Sequence, residues 1–185
     1  MQTGKEVVII TGASRGIGKA IAQKLAADNR VIIAIGRTEN LLVELIIDLN
    51  KKGFEALYFT GDVADEYFAE KTVKFILSKY GRIDHLINNA GTANFKKFVD
   101  SGIDEFRRQI DTNLLGIYNF SKSVVGNMIE RRTGTIINIS SLAGKTGFVG
   151  GTMYSATKHA VMGFTKSLML ELREFNIKVC VICPG

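Results

Sequence analysis

Short apolar, β-branched runs recur along the chain at residues 7–10, 31–35, 56–60, 85–87, 135–139 and 178–182. Between them lie longer stretches of helical patterning near 18–28, 40–52, 65–79, 103–130 and 153–175, the first with an apolar stripe of Ile21, Ala22 and Leu25. A strand that is apolar at every position has both faces buried, which requires helices on both sides of a parallel sheet. The order βαβαβαβαβαβ therefore predicts an α/β fold, a doubly wound parallel sheet in a three-layer α/β/α arrangement. In such a sheet the ligand crevice opens beyond the carboxyl ends of the strands.

Nothing in the composition divides this pattern. The 185 residues, 46% of them hydrophobic, suit one core, and no repeat, low-complexity tract or linker interrupts them, so residues 1–185 read as a single domain. The 24 Lys and Arg against 18 Asp and Glu leave a net charge of +6. The basic residues fall in scattered pairs such as Lys96-Lys97, Arg107-Arg108 and Arg131-Arg132, with no reader motif, and no nucleic-acid partner is expected. A mild positive excess does suit an anionic small ligand. Met1-Gln2-Thr3-Gly4-Lys5-Glu6 leads into the first strand without a signal-peptide core, and no apolar stretch has membrane length, so the expectation is a cytoplasmic protein with no membrane partner. Cys180 and Cys183 would sit on opposite faces of a strand. With only His85 and His159 besides, no metal site is expected; the cysteines read as small buried hydrophobes and the histidines as packed or surface residues.

The first strand leads through Thr11-Gly12-Ala13-Ser14-Arg15-Gly16-Ile17-Gly18 directly into a helix. Glycines at a strand-to-helix turn let the backbone approach a pyrophosphate, and the helix N-terminus adds its positive dipole end. The spacing departs from G-x-G-x-x-G, and a simple βα turn can also be glycine-rich. Rossmann dinucleotide sites carry an acid at the end of the second strand for the ribose hydroxyl, or an arginine for a 2′-phosphate. Here that strand ends in Gly36-Arg37, and Arg15 stands in the loop, so NADP(H) is favoured over NAD(H).

Tyr154 and Lys158 are one helical turn apart and share a helix face. A phenol ordinarily ionises near pH ~10, and a neighbouring ammonium favours its phenolate, which suits proton transfer near neutrality. A lone Y-x-x-x-K recurs by chance on amphipathic helices, so its surroundings decide its meaning.

Those surroundings resemble the short-chain dehydrogenase/reductase family in its single-domain branch, and more narrowly its 3-oxoacyl-[acyl-carrier-protein] reductase-like members. The residues that carry the likeness are the loop from Thr11 to Gly18, Asp62-Val63, Asn88-Asn89-Ala90-Gly91, Asn113, Ser141, Tyr154-Ser155-Ala156-Thr157-Lys158 and Pro184-Gly185, all in family order. The resemblance implies an NADP(H)-dependent oxidoreductase acting on a carbonyl or secondary alcohol. It implies catalytic roles for Asn113, Ser141, Tyr154 and Lys158: Ser141 holds the carbonyl oxygen, Tyr154 protonates it, Lys158 tunes Tyr154 and binds the nicotinamide ribose, and Asn113 holds a water. Ser140 would face the other way. Cofactor contacts are implied for Gly12, Ser14, Arg15, Gly16, Ile17, Gly18, Arg37, Asp62, Val63, Asn89, Ala90, Gly91, Tyr154, Lys158, Pro184 and Gly185.

The resemblance also implies a homodimer or homotetramer paired through the helices of Asn113 and Tyr154. Relatives run to about 250 residues, so it implies a longer protein, with a last strand and a substrate lid beyond Gly185, and weak activity for the 185 residues alone. A 3-oxoacyl thioester on acyl carrier protein or coenzyme A is one substrate class. Arg132 fits a carrier-facing basic position, whereas Phe175 occupies the second. A different ketone or sugar-type carbonyl, or a nucleotide-binding regulator without turnover, are the alternatives. Phe95, Phe148 and Met153 suggest a partly apolar entrance.

Overall fold

Runs of valine and isoleucine stiff at χ1 favour extended backbone, and each expected run forms a strand. The computed structural model describes residues 4–185; Met1, Gln2 and Thr3, part of the N-terminal segment read above, lie outside the described residues. The strands are β1 (Glu6–Thr11), β2 (Arg30–Gly36), β3 (Glu55–Thr60), β4 (His85–Asn88), β5 (Gly134–Ile139) and β6 (Ile177–Ile182). They form one parallel sheet in the order β3-β2-β1-β4-β5-β6. Val8 pairs with Ile32 on one side and His85 on the other, so the chain reverses its direction of travel across the sheet between β1 and β4. That reversal opens the crevice.

The helices are α1 (Gly16–Leu25), α2 (Glu39–Lys51), α3 (Glu66–Tyr80), α4 (Ile103–Ile110), α5 (Gly116–Arg131) and α6 (Thr152–Leu172). Ala22, Leu42, Leu45 and Leu49 from α1 and α2 cover one face of the sheet. Val73, Ile76, Phe120, Val124, Met128 and Leu172 from α3, α5 and α6 cover the other. The expected helix over 103–130 is not regular: a π turn, Asp111–Leu115, joins α4 to α5 and holds Asn113. Such widened turns gather at functional sites.

Burial of both strand faces holds for β1 and β2 but fails at β6. Among the described residues this strand lies at the sheet edge, and Lys178, Cys180 and Ile182 on one face are exposed. The reading of both cysteines as buried is thereby corrected: Cys180 is exposed and Cys183 is half-buried, with its Sγ 3.5 Å from Met162 Sδ. An edge strand packs only the face its helix covers.

At the amino ends of the strands, remote from the crevice, Asp84 accepts from the Val7 N–H at 2.8 Å, from Arg82 at 2.8 and 2.6 Å, and from Arg131 at 2.7 Å. This carboxylate fastens β1, β4 and the end of α5 together. His85 stands 3.7 Å from Glu6 at the same end, an acid partner that the sequence did not suggest, and it takes no part in the crevice. No helix among the described residues is long and apolar enough to cross a membrane.

Candidate active site

Beyond β1 the chain turns at Gly12, whose φ is 66° and whose Cβ, had it one, would lie 2.8 Å from Ala90 Cα. Both the left-handed backbone and the close approach require glycine. A Cβ on Gly18 would come within 2.3 Å of the Gly12 carbonyl oxygen. Gly18 is therefore a packing residue beneath the turn, and neither it nor Gly16 lines the cleft. Thr11 Oγ1 accepts from the N–H groups of Asn89 and Ala90, each at 3.0 Å. Asn89 Nδ2 donates in return to the carbonyls of Thr11 and Gly12 at 3.0 and 3.1 Å. The loops after β1 and β4 are thus one hydrogen-bonded unit.

Over this unit lies a cavity of about 290 Å³, lined by Gly12, Ser14, Arg15, Ile17, Gly36, Arg37, Asp62, Val63, Asn89, Ala90 and Gly91 among others. Arg15 is the N-cap of α1 in extended conformation and makes no side-chain cap. The first N–H groups of that helix are left to an anion. Arg37 stands at the rim with Nη1 3.7 Å from Asp62 Oδ2, both side chains largely in water. That pair adds little stability but keeps the guanidinium beside the cavity. Asp62 Oδ1 also accepts from the Ala64 N–H at 3.0 Å, which sets the turn after β3.

A second recess of about 280 Å³ shares Ile17, Asn89 and Gly91 with the first and continues past Ser141, Tyr154 and Lys158 to Pro184 and Gly185. Tyr154 is half-buried near the start of α6. The Lys158 ammonium lies 5.7 Å from the centroid of its ring, within cation–π range. Lys158 is 4% exposed and donates to the Ile139 carbonyl at 2.9 Å. An ammonium has three donors, and among the described residues that carbonyl is its one hydrogen-bond partner. Ser141 Oγ accepts from the Ala143 N–H at 3.1 Å, which caps a short helical turn and leaves the O–H to donate elsewhere. Ser140, which also lines the recess, donates to the Lys158 carbonyl at 3.0 Å, so its hydroxyl proton is used within the protein.

Burial pulls the Lys158 ammonium down to about 8, against a small opposing pull from Cys183. A lysine whose folded pKa lies below its unfolded one leaves the unfolded chain holding more protons between those values, so stability rises with pH there. The protein should accordingly gain stability relative to Lys158→Met between pH 8 and 10.5. Thermal melts of both proteins across that range check this; a constant difference would contradict it.

Asn113 is fully buried. Its Oδ1 accepts from the Thr92 N–H at 2.7 Å, and Nδ2 donates to the Thr92 carbonyl at 2.9 Å and to Thr157 Oγ1 at 3.0 Å. Both Nδ2 hydrogens are thus taken by the protein, while Oδ1 keeps a second lone pair for a further donor. These bonds tie the segment after β4 to α6. Asn113 Oδ1 and Lys158 Nζ lie 3.4 and 3.6 Å from where a Cβ on Gly91 would stand. Met153, expected at the entrance, is buried at 5% exposure and belongs to the core.

Thr11 and Thr157 stand in the motifs read from the sequence without a role of their own, and Glu105 was not singled out. Glu105 accepts from Asn94 Nδ2 at 2.7 Å, from the Gly102 N–H at 3.2 Å and from Lys96, and so anchors the segment that follows Gly91. A glutamate three residues into a helix is a visible capping signal, whereas its bonds to Asn94 and Lys96 depend on how the loop folds back.

Residues 6–185 match the family described as short chain dehydrogenase. The chain belongs to this family. It is 35% identical over 181 residues to the 3-oxoacyl-[acyl-carrier-protein] reductase of Synechocystis sp., covering 97% of this chain and 73% of that protein. A crystal structure of an actinorhodin polyketide ketoreductase variant with NADPH superposes with a TM-score of 0.94 at 38% identity, covering all of this chain and 72% of the other. An NAD+-bound xylitol dehydrogenase also gives 0.94, at 32% identity and the same coverage. Solved structures that superpose on this fold thus hold either dinucleotide.

Proposed function

We propose that the protein is an NADP(H)-dependent reductase of a ketone carbonyl, with a 3-oxoacyl thioester on acyl carrier protein or coenzyme A as its substrate. The observation that carries this reading is the pair of adjoining cavities, with Arg15 and Arg37 along one and Ser141, Tyr154 and Lys158 along the other. The relatives named as an acyl-carrier-protein reductase and as an NADPH-bound ketoreductase support it.

The residues fit the cofactor. The uncapped start of α1 with the close approach at Gly12 suits a pyrophosphate, and Gly36 leaves no acid to repel a 2′-phosphate held by Arg37 and Arg15. Asp62 and Val63 would border the adenine, Asn89, Ala90 and Gly91 the ribose, and Pro184 and Gly185 the nicotinamide end. Bound there, NADP(H) supplies the hydride.

The protein's own groups handle the oxygen. Ser141 donates a hydrogen bond to the substrate carbonyl, and Tyr154 transfers its phenolic proton to that oxygen as negative charge develops. The buried Lys158 ammonium stabilises the phenolate left behind and, with two donors beyond the Ile139 carbonyl, reaches toward the nicotinamide ribose. Asn113 holds Thr92 and Thr157 in place around this group.

Tyr118, Met169 and Leu170 are exposed on α5 and α6, an apolar surface that suits pairing of two copies into a homodimer or homotetramer. Arg132 at the end of α5 adopts left-handed backbone and donates to the Glu174 carbonyl at 2.7 Å, so its guanidinium is held at the surface where an acidic carrier would meet it.

Loss of NADPH absorbance on adding acetoacetyl-coenzyme A or an acetoacetyl carrier protein tests the reading, and turnover of neither would sink it. For the cofactor, Arg37→Ala should weaken NADPH binding roughly tenfold or more, as expected for a charge-assisted hydrogen bond of about 1.5–3 kcal/mol, while leaving NADH binding unchanged. Fluorescence titration measures both; equal losses for the two cofactors would remove Arg37 from the phosphate site.

A further inference from the structure

Two consecutive residues hold Lys158 at both of its ends. Ile139, the last residue of β5, accepts from Lys158 Nζ at 2.9 Å, and the next residue, Ser140, donates through Oγ to the Lys158 main-chain carbonyl at 3.0 Å. All three residues are buried. A carbonyl oxygen has a second lone pair, so the Ser140 bond adds to the hydrogen bonding of α6 without breaking it.

The turn after β5 closes on the same point. A Cβ on Gly144 would stand 2.4 Å from Ser140 Oγ and 2.8 Å from the Lys158 carbonyl oxygen, so the α6 backbone and this turn meet with no room for a side chain between them. The segment that carries Ser140 is itself fixed: the Ser140 N–H donates to the Ile182 carbonyl at 2.8 Å and the Leu142 N–H to the Pro184 carbonyl at 3.0 Å. A lysine side chain left free turns its ammonium toward water. Its reach is finite, and the depth at which α6 lies against β5 decides whether Nζ rests on the Ile139 carbonyl or swings out into the recess.

We propose that Ser140 is a positioning residue for Lys158: its hydroxyl holds the α6 backbone against the end of β5 and so keeps the ammonium on the Ile139 carbonyl and out of bulk water. The groups around the ammonium agree with confinement as the cause of its lowered value. Those that titrate are Tyr154 on its own helix and Cys183 after β6, and Cys183 pulls the ammonium up rather than down. Ile139, Ser140, Gly91 and Asn113, from the other elements packed near it, do not titrate.

Carbon-13 NMR of the lysine Cε groups in the complete protein follows this ammonium directly, with the Lys158 signal assigned by its loss in Lys158→Met. It should titrate near pH 8 in the unaltered protein. In Ser140→Ala the midpoint should rise by about one pH unit or more, as water reaches the ammonium and favours the charged form. Ser121→Ala removes a hydroxyl that is as deeply buried but bonds Asn88 on β4, and it should leave the midpoint in place. A second arm rests on the reductase reading above: with NADPH and an acetoacetyl thioester, the alkaline limb of kcat should move upward in Ser140→Ala together with the midpoint, because the phenolate of Tyr154 is stabilised only by a charged Lys158. An unchanged midpoint in Ser140→Ala, or an equal rise in Ser121→Ala, overturns the positioning role even where kcat falls. A raised midpoint confined to Ser140→Ala, in a protein that turns over neither thioester, upholds the positioning role and overturns the reductase reading instead.

Discussion

Replacing Tyr154 with phenylalanine should lower kcat for NADPH-dependent ketone reduction by roughly 10²–10⁴-fold, the usual contribution of a positioned general acid. The ring would keep its edge-to-face contact with Phe95 and its place over the Lys158 ammonium. Only the proton donor disappears. NADPH affinity, set along the cavity from Gly12 to Arg37, should change little, so fluorescence titration of the variant separates lost chemistry from lost folding. Residual turnover within tenfold of the unaltered protein would show that another group supplies the proton. A companion Ser141→Ala should cost less than Tyr154→Phe, because Ser141 stabilises the oxygen without delivering a proton to it.

Asp84→Ala should be the most damaging single change to stability, costing about 3 kcal/mol or more, the range for removing one partner from a buried ionic cluster. The Asp84 side chain is 8% exposed, while Arg82 and Arg131 keep 32% and 22%. Its loss strands the Val7 N–H inside the protein and leaves two guanidinium groups facing each other without an anion. Burial alone would raise the Asp84 carboxyl, but hydrogen bonds from Arg82, the Val7 N–H and Arg131 outweigh it and hold the group below the ordinary carboxylate range. A depressed carboxylate contributes stability above its unfolded pKa and loses it as pH falls through the folded one. The gap between the unaltered protein and Asp84→Ala, read from urea denaturation, should therefore be full at neutral pH and shrink in acid. A gap that is small at pH 7 would mean that the cluster is structurally dispensable. The catalytic cleft lies at the opposite end of the strands, so what folded variant remains should bind NADPH normally.

Most of the architecture was legible in the one-dimensional pattern. Runs such as Val31 to Ile35 have only one way to bury every side chain, between two helical layers, and the glycine turn at Gly12 demands a conformation that few other residues adopt. The spacing of Tyr154 and Lys158 likewise places both on one helix face whatever the rest of the chain does. The cysteines were misjudged for a related reason. The apolar character of β6 is plain in its sequence, but its place as the last strand among the described residues, with Cys180 exposed, follows from strand order, which no local pattern encodes.

What tertiary structure alone decided was how distant segments divide the work of the site. Asn113 was singled out by the type and order of the residues around it, but that its amide bonds Thr92 and Thr157, residues 21 and 44 positions away, is visible only in the fold. Glu105 reads as an ordinary helix-start acid until the loop folds back and delivers Asn94 to it. The sequence pairs Lys158 with Tyr154, but only the removal of water around it brings its ammonium down to about 8. Backbone preference and side-chain periodicity are local properties and can be read along the chain; hydrogen-bond partners and desolvation depend on which segments the fold brings together.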